Sequence, residues 1–317
     1  MFGWWSDAFA WLMARARSIQ VLRGEALSGR QRVLRILGAA GPAGFWLLIF
    51  FLVPLLLILG VSFLSRGELG TVETPLTFEP YRRLAGFGLL GFDPLYPIIL
   101  ARSVVLGAGT ALLCVICALP MAFFIAGLRP TWKTAALTLV IIPLWTNLLI
   151  RTYAWQLLLA PEGFLSRAAA ALGLIEAGAG LYPGAAAVYA CMVCDYLPFM
   201  VLPLYASVEK LDWSFAEAAM DLGANGWNVF RHALLPQIKP GLFAGCLLVF
   251  LPATGQFVIP DLLGGAKTSM IGNAIQQQFL ASGDWPFGSA IAVVSLGVVM
   301  LGLWVFTRQS REEMELL

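Results

Sequence analysis

Charge along this chain is confined to short bunches, and between them run uncharged, mostly apolar stretches at 36–65, 103–128, 134–150, 177–194, 196–208, 240–260 and 285–307. Most are long enough for a bilayer crossing, which needs about 20 apolar residues of helix. Merging the two stretches that flank Asp195, and taking Arg151 as the end of the third, predicts six transmembrane helices at roughly 43–64, 103–127, 134–155, 185–206, 240–260 and 286–307. The expected fold class is an all-α membrane protein.

Composition agrees with the pattern. The chain has 317 residues, 60% hydrophobic and 12% charged, with a mean hydropathy of +0.83, which excludes a water-soluble globule. A net charge of +2 from 20 Lys+Arg and 18 Asp+Glu is too small and too dispersed for a nucleic-acid-binding face. Met1–Leu34 mixes Trp4, Trp5, Phe9 and Trp11 with Arg15, Arg17, Arg23, Arg30 and Arg32 and has no compact apolar centre, so it does not read as a cleaved signal. It reads either as an amphipathic helix on the membrane surface or as a loosely ordered tail. The expected partition is an N-terminal arm at 1–41, one transmembrane domain at 42–307 and a tail at 308–317, with no Gly/Ser linker to mark a soluble domain.

The basic residues set the expected orientation. The arm, the 128–133 turn with Arg129 and Lys133, the 207–239 loop with Lys210, Arg231 and Lys239, and the C-terminus with Arg308 and Arg311 all fall on one side, the cytoplasm. Both termini are then cytoplasmic. The opposite loops carry Glu68, Glu73, Glu79, Asp93, Glu162, Glu176, Asp261 and Asp284, an outer vestibule mildly attractive to cations.

One cytoplasmic loop is too patterned for a connector. Phe215, Ala218, Ala219 and Leu222 fall at i, i+3, i+4 and i+7, which predicts a short helix with an apolar stripe and with Glu217 and Asp221 beside it. Gly223 can take a positive φ and end that helix. Trp227, Phe230, Arg231 and Leu234 then suit a second helix closed before Pro236. The expected product is a bent helical knob that a partner's hydrophobic groove can grip.

This stretch resembles the EAA loop of ABC importer permeases, a pattern of EAA, a Gly four residues on, and a later Leu-Pro. Glu217, Ala218, Ala219, Gly223, Leu235 and Pro236 match it in order. The resemblance implies a type I permease fold with cytoplasmic coupling helices, its core at about 99–307, in a bacterial inner membrane. It also implies that these six residues couple to an ATPase dimer, alongside a second homologous permease and an extracytoplasmic substrate-binding protein. The chain has no phosphate-binding loop, so ATP and Mg belong to the partner ATPase and no cofactor is expected here.

The resemblance is nearest to the polyamine permeases of the PotB/PotH type, carried by the blocks at Ile141–Trp155, Tyr196–Tyr205, Phe257–Gly265, Met270–Gly272 and Asp284–Pro286. Asp195, Tyr196, Gln256, Asp261, Trp145, Tyr153 and Trp155 are the candidates for a translocation pathway. Physically, prolines 143, 198, 203, 252 and 260 would free carbonyls near mid-membrane, and aromatic faces suit ammonium groups; the same aromatics also suit an interfacial belt. Two departures stand out. Gln256 occupies a place where the polyamine group usually has Glu, and Asp195 a place where a neutral residue is expected.

An ionised carboxylate at the depth of Asp195 costs about 2.5–3.5 kcal/mol on insertion scales and needs compensation. The candidates are a substrate ammonium, a Lys or Arg of a partner subunit, and protonation with a hydrogen bond to a carbonyl freed near Pro198. The expectation drawn from the two departures is that Asp195 replaces part of the cation attraction lost at Gln256.

Cys114/Cys117 and Cys191/Cys194 have C-x-x-C spacing, but inside spans desolvation disfavours the thiolate that a metal requires, so packing is expected for them and for Cys246, with no metal site. His232 has no second histidine to complete a site. The alternatives to a polyamine importer are a permease for another small solute and a secondary transporter driven by an ion gradient.

Overall fold

The computed structural model describes residues 41, 44–67, 71–88, 91–176, 178–265 and 268–314. The expected N-terminal arm, apart from Gly41, lies outside the described residues. Helix α1 (Gly44–Val61) is apolar around its whole circumference, as a lipid-facing span is.

Two two-stranded hairpins follow, β1 (Ser65–Arg66) with β2 (Val72–Glu73) and β3 (Phe87–Gly88) with β4 (Gly91–Phe92), separated by helix α2 (Glu79–Leu84). The remaining elements are helical: α3 (Leu95–Gly127), α4 (Pro130–Ile141), α5 (Leu148–Leu159), α6 (Phe164–Ala171), α7 (Ala185–Val208), α8 (Ser214–Asp221), α9 (Gly226–Thr254), α10 (Val258–Leu263), α11 (Ile271–Gln276) and α12 (Trp285–Met314). Among the described residues five helices, α1, α3, α7, α9 and α12, are long and apolar enough to cross a membrane.

The third predicted span is the exception. The helix expected at 134–155 is two arms, Pro130–Trp145 and Leu148–Ala171, bent by 95°. Pro143 sits in a tight 3₁₀ turn (Ile142–Trp145), Thr146 and Asn147 are extended, and the Asn147 side chain accepts the Leu149 N–H at 2.8 Å to start α5. A missing proline donor and an N-cap asparagine four residues on are a stop and a start in the middle of an apolar run.

The core is built where α3, α7 and α9 meet. Cys114, Ala118 and Ala122 of α3, Met192, Met200 and Leu204 of α7, and Ile238, Val249 and Ala253 of α9 are fully buried. Small residues set the spacing, as in membrane helix packing generally. A Cβ at Gly241 would lie 2.5 Å from the Pro203 carbonyl oxygen, and one at Gly245 would lie 2.6 Å from the Met200 sulfur, so α9 needs both glycines to approach α7. A second cluster joins Leu84, Ile99, Ile271, Phe287 and Ile291 at the end of α12 opposite its C-terminus.

Candidate functional site

The loop after α7 is a helical knob with its apolar face turned outward. The Asp212 carboxylate accepts the Ser214 N–H at 3.0 Å and begins α8. Ala216 is the α8 residue packed inward, whereas Glu217 and Ala218 are exposed, Ala219 half-buried, Phe215 60% exposed and Leu222 89% exposed. The predicted stripe of Phe215, Ala218, Ala219 and Leu222 therefore largely lacks cover within this chain. Trp213, Met220 and Trp227 add to the exposed surface.

Gly223 ends α8 with φ +82°, its N–H meeting the Met220 carbonyl at 2.9 Å while Ala224 N–H reaches back to Ala219 at 3.0 Å. This is the glycine helix stop that the spacing predicted. The second helix differs from expectation. Rather than closing before Pro236, it runs from Gly226 through Leu235 and Pro236 as one 29-residue helix to Thr254. A π turn at Phe230–Leu234, in which the Leu235 N–H bonds to the Phe230 carbonyl, widens the helix where the Pro236 ring would otherwise press on the preceding turn. The knob is thus continuous with the fifth span. His232 is exposed, with Nδ1 3.0 Å from the Asn228 carbonyl oxygen.

Near the middle of α7, Asp195 is 3% exposed and forms an ion pair with Arg151 of α5. The Arg151 Nη1 also donates to the Pro143 carbonyl at 2.6 Å, so one guanidinium joins both sides of the broken third span to α7. This corrects the sequence reading. Arg151 is not merely a boundary marker: it compensates Asp195 from within the same chain, a partner that was not among the three candidates. Asp195 is thus a paired carboxylate, not an open one, beside Tyr196 and Gln256. Two opposite charges within the apolar runs of neighbouring spans are the signal that could have revealed the pair.

The next residue, Tyr196, is buried, and its hydroxyl accepts from Gln256 Nε2 at 3.2 Å. Gln256 Oε1 accepts the N–H groups of Phe257 (3.0 Å) and Val258 (3.3 Å), capping α10 just after the fifth span has stopped at Thr254. The predicted fifth span to 260 is thereby shortened and broken. Two helix breaks, at 146–147 and 255–257, flank the Asp195–Tyr196 pair of α7 and are each held by a polar side chain. Of the other pathway candidates, Trp145 (78% exposed) and Tyr153 are exposed, Trp155 packs half-buried on the core, and Asp261 is exposed in the first turn of α10.

Asp284, counted among the open outer carboxylates, is buried instead. Its Oδ2 meets Arg83 at 2.9 Å and Arg66 at 3.8 Å, and Arg83 lies 4.2 Å over the Phe287 ring. It contributes no free negative charge to a vestibule. Cys114 and Cys191 are buried and Cys117 and Cys194 exposed, so each C-x-x-C pair is split between the interior and the surface. Two cavities, of about 480 and 240 Å³, lie along α3, α9 and α12 with largely apolar linings such as Val115, Phe250, Leu100 and Val299; no pathway candidate lines either.

Residues 42–311 match the family described as binding-protein-dependent transport system inner membrane components. The spermidine/putrescine transport system permease protein PotB of Haemophilus influenzae is 40% identical over 266 residues, covering 84% of this chain and 91% of that protein. Its Escherichia coli counterpart is 40% identical over 274 residues, 86% of this chain and 97% of the relative. A solved bacterial ABC transporter involved in import of the acidic polysaccharide alginate has a chain that superposes with a TM-score of 0.65 at 15% identity, covering 89% of this chain and 99% of its own. The same kind of transporter, solved in complex with an alginate pentasaccharide-bound periplasmic protein, gives 0.63 at 16% identity, covering 89% and 96%. A helical membrane bundle with an EAA knob, matched by sequence family and by fold, places this chain among the binding-protein-dependent transport system inner membrane components, as a non-enzymatic permease subunit of an ABC importer.

Proposed function

We propose that this chain forms one half of the transmembrane path of a polyamine importer, taking putrescine, spermidine or related small cations. The observation that carries the substrate class is the 40% identity to spermidine/putrescine permeases over 91% of the relative's length. In this reading a second homologous permease completes the path, an extracytoplasmic binding protein delivers the substrate, and an ATPase dimer carrying ATP and Mg docks on the knob. Both termini and the knob face the cytoplasm of a bacterial cell.

The chemistry follows from the exposed groups. Glu217, Ala218, Ala219 and Gly223 present the docking face, while Leu235 and Pro236, inside α9, lie where the knob passes into the fifth span. Closure of the ATPases on ATP draws the knob inward and rocks the spans, so that substrate received outside is released inside. Because Asp195 is matched by Arg151, a cation passing the junction is met by aromatic faces at Trp145 and Tyr153, by the Tyr196–Gln256 polar pair, and by the exposed carboxylate of Asp261.

Uptake of labelled putrescine and spermidine into vesicles holding the reconstituted complex, with and without ATP, tests the reading. Accumulation of either only with ATP is expected. ATP-driven uptake of a different solute alone would overturn the substrate class, and uptake driven by an ion gradient alone would overturn the importer mechanism.

A further inference from the structure

The knob is joined to the membrane helices by more than its two chain ends. Gln237 follows Pro236 on α9, 25 residues after Asp212, yet its carboxamide meets the Asp212 backbone on both sides. Oε1 accepts the Asp212 N–H at 3.0 Å; Nε2 donates to the Asp212 carbonyl at 3.3 Å and to the Ala233 carbonyl at 2.8 Å. A primary amide offering both an acceptor and a donor to one peptide residue imitates the pairing of a neighbouring strand, which Leu, Lys or Glu at this position could not do.

Asp212 is also the residue whose carboxylate starts α8. The hydrogen bonds therefore run without interruption from the α9 backbone at Ala233, through Gln237 and Asp212, to the first turn of the helix that bears Phe215, Glu217 and Leu222. Leu211, Ala216, Val229, Leu234 and Ile238 of the same segments are all buried in one cluster, so these segments share a packed base. The chain itself passes from α8 to α9 through the turn at Gly223, where a Cβ would meet nothing within 4 Å, while Ala219 and Ala224 beside it pack partly on the core.

On the far side of the loop, Glu209 meets Lys133 of α4 at 3.2 Å, fastening the segment before Asp212 to the third span. That pair is a single exposed contact, whereas the Gln237 amide makes three bonds, the one to Ala233 part-buried and the two to Asp212 exposed. Of the two ties, Gln237 is the one placed to transmit force.

We propose that Gln237 is a positioning residue for coupling: it locks α8 to α9, so that a displacement imposed on the exposed knob face reaches the fifth span directly rather than through the Gly223 turn. The proposal rests on the reading that an ATPase docks on the knob. Gln237 itself touches neither nucleotide nor substrate.

The test is the number of polyamine molecules taken up per ATP hydrolysed, measured on purified complex in vesicles and normalised to assembled complex. Gln237→Leu keeps the volume and loses all three bonds; Gln237→Glu keeps an acceptor for the Asp212 N–H and loses the donor. ATP hydrolysis within about two-fold of wild type and an uptake-to-hydrolysis ratio lowered on the order of ten-fold in Gln237→Leu, with Gln237→Glu intermediate, is the expected result. An unchanged ratio, or uptake and hydrolysis falling in strict proportion as they would for a residue that only supports folding, overturns the proposal while ATP-driven uptake by the wild type stands. Wild-type uptake that ignores ATP overturns the docking reading itself, and the proposal with it.

Discussion

The knob and the mid-membrane junction break the usual rules of burial in opposite directions. The knob leaves Phe215, Leu222 and Trp227 uncovered beyond the end of a span, whereas the junction encloses a carboxylate and a guanidinium halfway along one. The comparison separates two kinds of functional residue. Uncovered apolar side chains outside the bilayer imply a partner from another chain; a buried charge inside it can be answered from within, and here it is. Substitutions at the junction should therefore act on stability, and those on the knob on assembly.

The largest effect is expected at Arg151. Arg151→Met leaves Asp195 unpaired in a low-dielectric setting and frees the Pro143 carbonyl, a loss of about 3–5 kcal/mol. Thermal unfolding of the purified complex should show a marked fall in midpoint, with little complex recovered from membranes. Arg151→Met combined with Asp195→Leu removes both charges and should recover most of that loss; a double variant as unstable as the single one would break the account of the junction.

Phe215→Asp comes next and should behave in the opposite way. The side chain is 60% exposed, so the unfolding midpoint of the isolated chain should stay close to wild type. Co-purification of the ATPase should fall by on the order of ten-fold or more, because a charge is set into an apolar contact. A drop in midpoint with the ATPase still bound would reverse the assignment of roles.

The smallest effect belongs to the Lys133–Glu209 pair at the knob's base. The hydrogen bond from Tyr205, and then the one from Lys133, hold the Glu209 carboxyl below its ordinary range. A depressed carboxylate contributes stability that is fully present above the ordinary glutamate pKa of about 4.3 and is lost as pH falls through the lower folded value. Uptake by wild type and by Lys133→Ala should then run parallel between about pH 5 and 8, differing by less than about two-fold, as exposed pairs usually do. Profiles that diverge in that window would show that another group controls the knob.

The two regions also differ in how far they could be read from the residues. The knob was legible because its signals are local: the apolar spacing from Phe215 to Leu222 and the helix-ending Gly223 lie within nine residues, and both hold in the structure. The continuation through Pro236 was missed because a proline ordinarily closes a helix, and no residue pattern marks the π turn that admits it. At the junction, the decisive partners lie far apart in the chain. Arg151 reads as the end of a span until the fold sets it beside Asp195; outside the junction the same holds for Arg83, which meets Asp284 from 201 residues away. The 95° break at Thr146 and Asn147 was hidden for a different reason: hydropathy continues across it, and only Pro143 and the Asn147 cap interrupt the run.

The central claim is that this chain carries solute by following an ATPase seated on the knob. Its most direct test is simultaneous measurement of ATP hydrolysis and labelled spermidine uptake in one vesicle preparation, for wild type and Phe215→Asp. The account predicts uptake that tracks hydrolysis in the wild type and is abolished in the variant, whose folded chain remains in the membrane. Spermidine uptake that persists in Phe215→Asp, or that proceeds in wild-type vesicles without ATP, would contradict it.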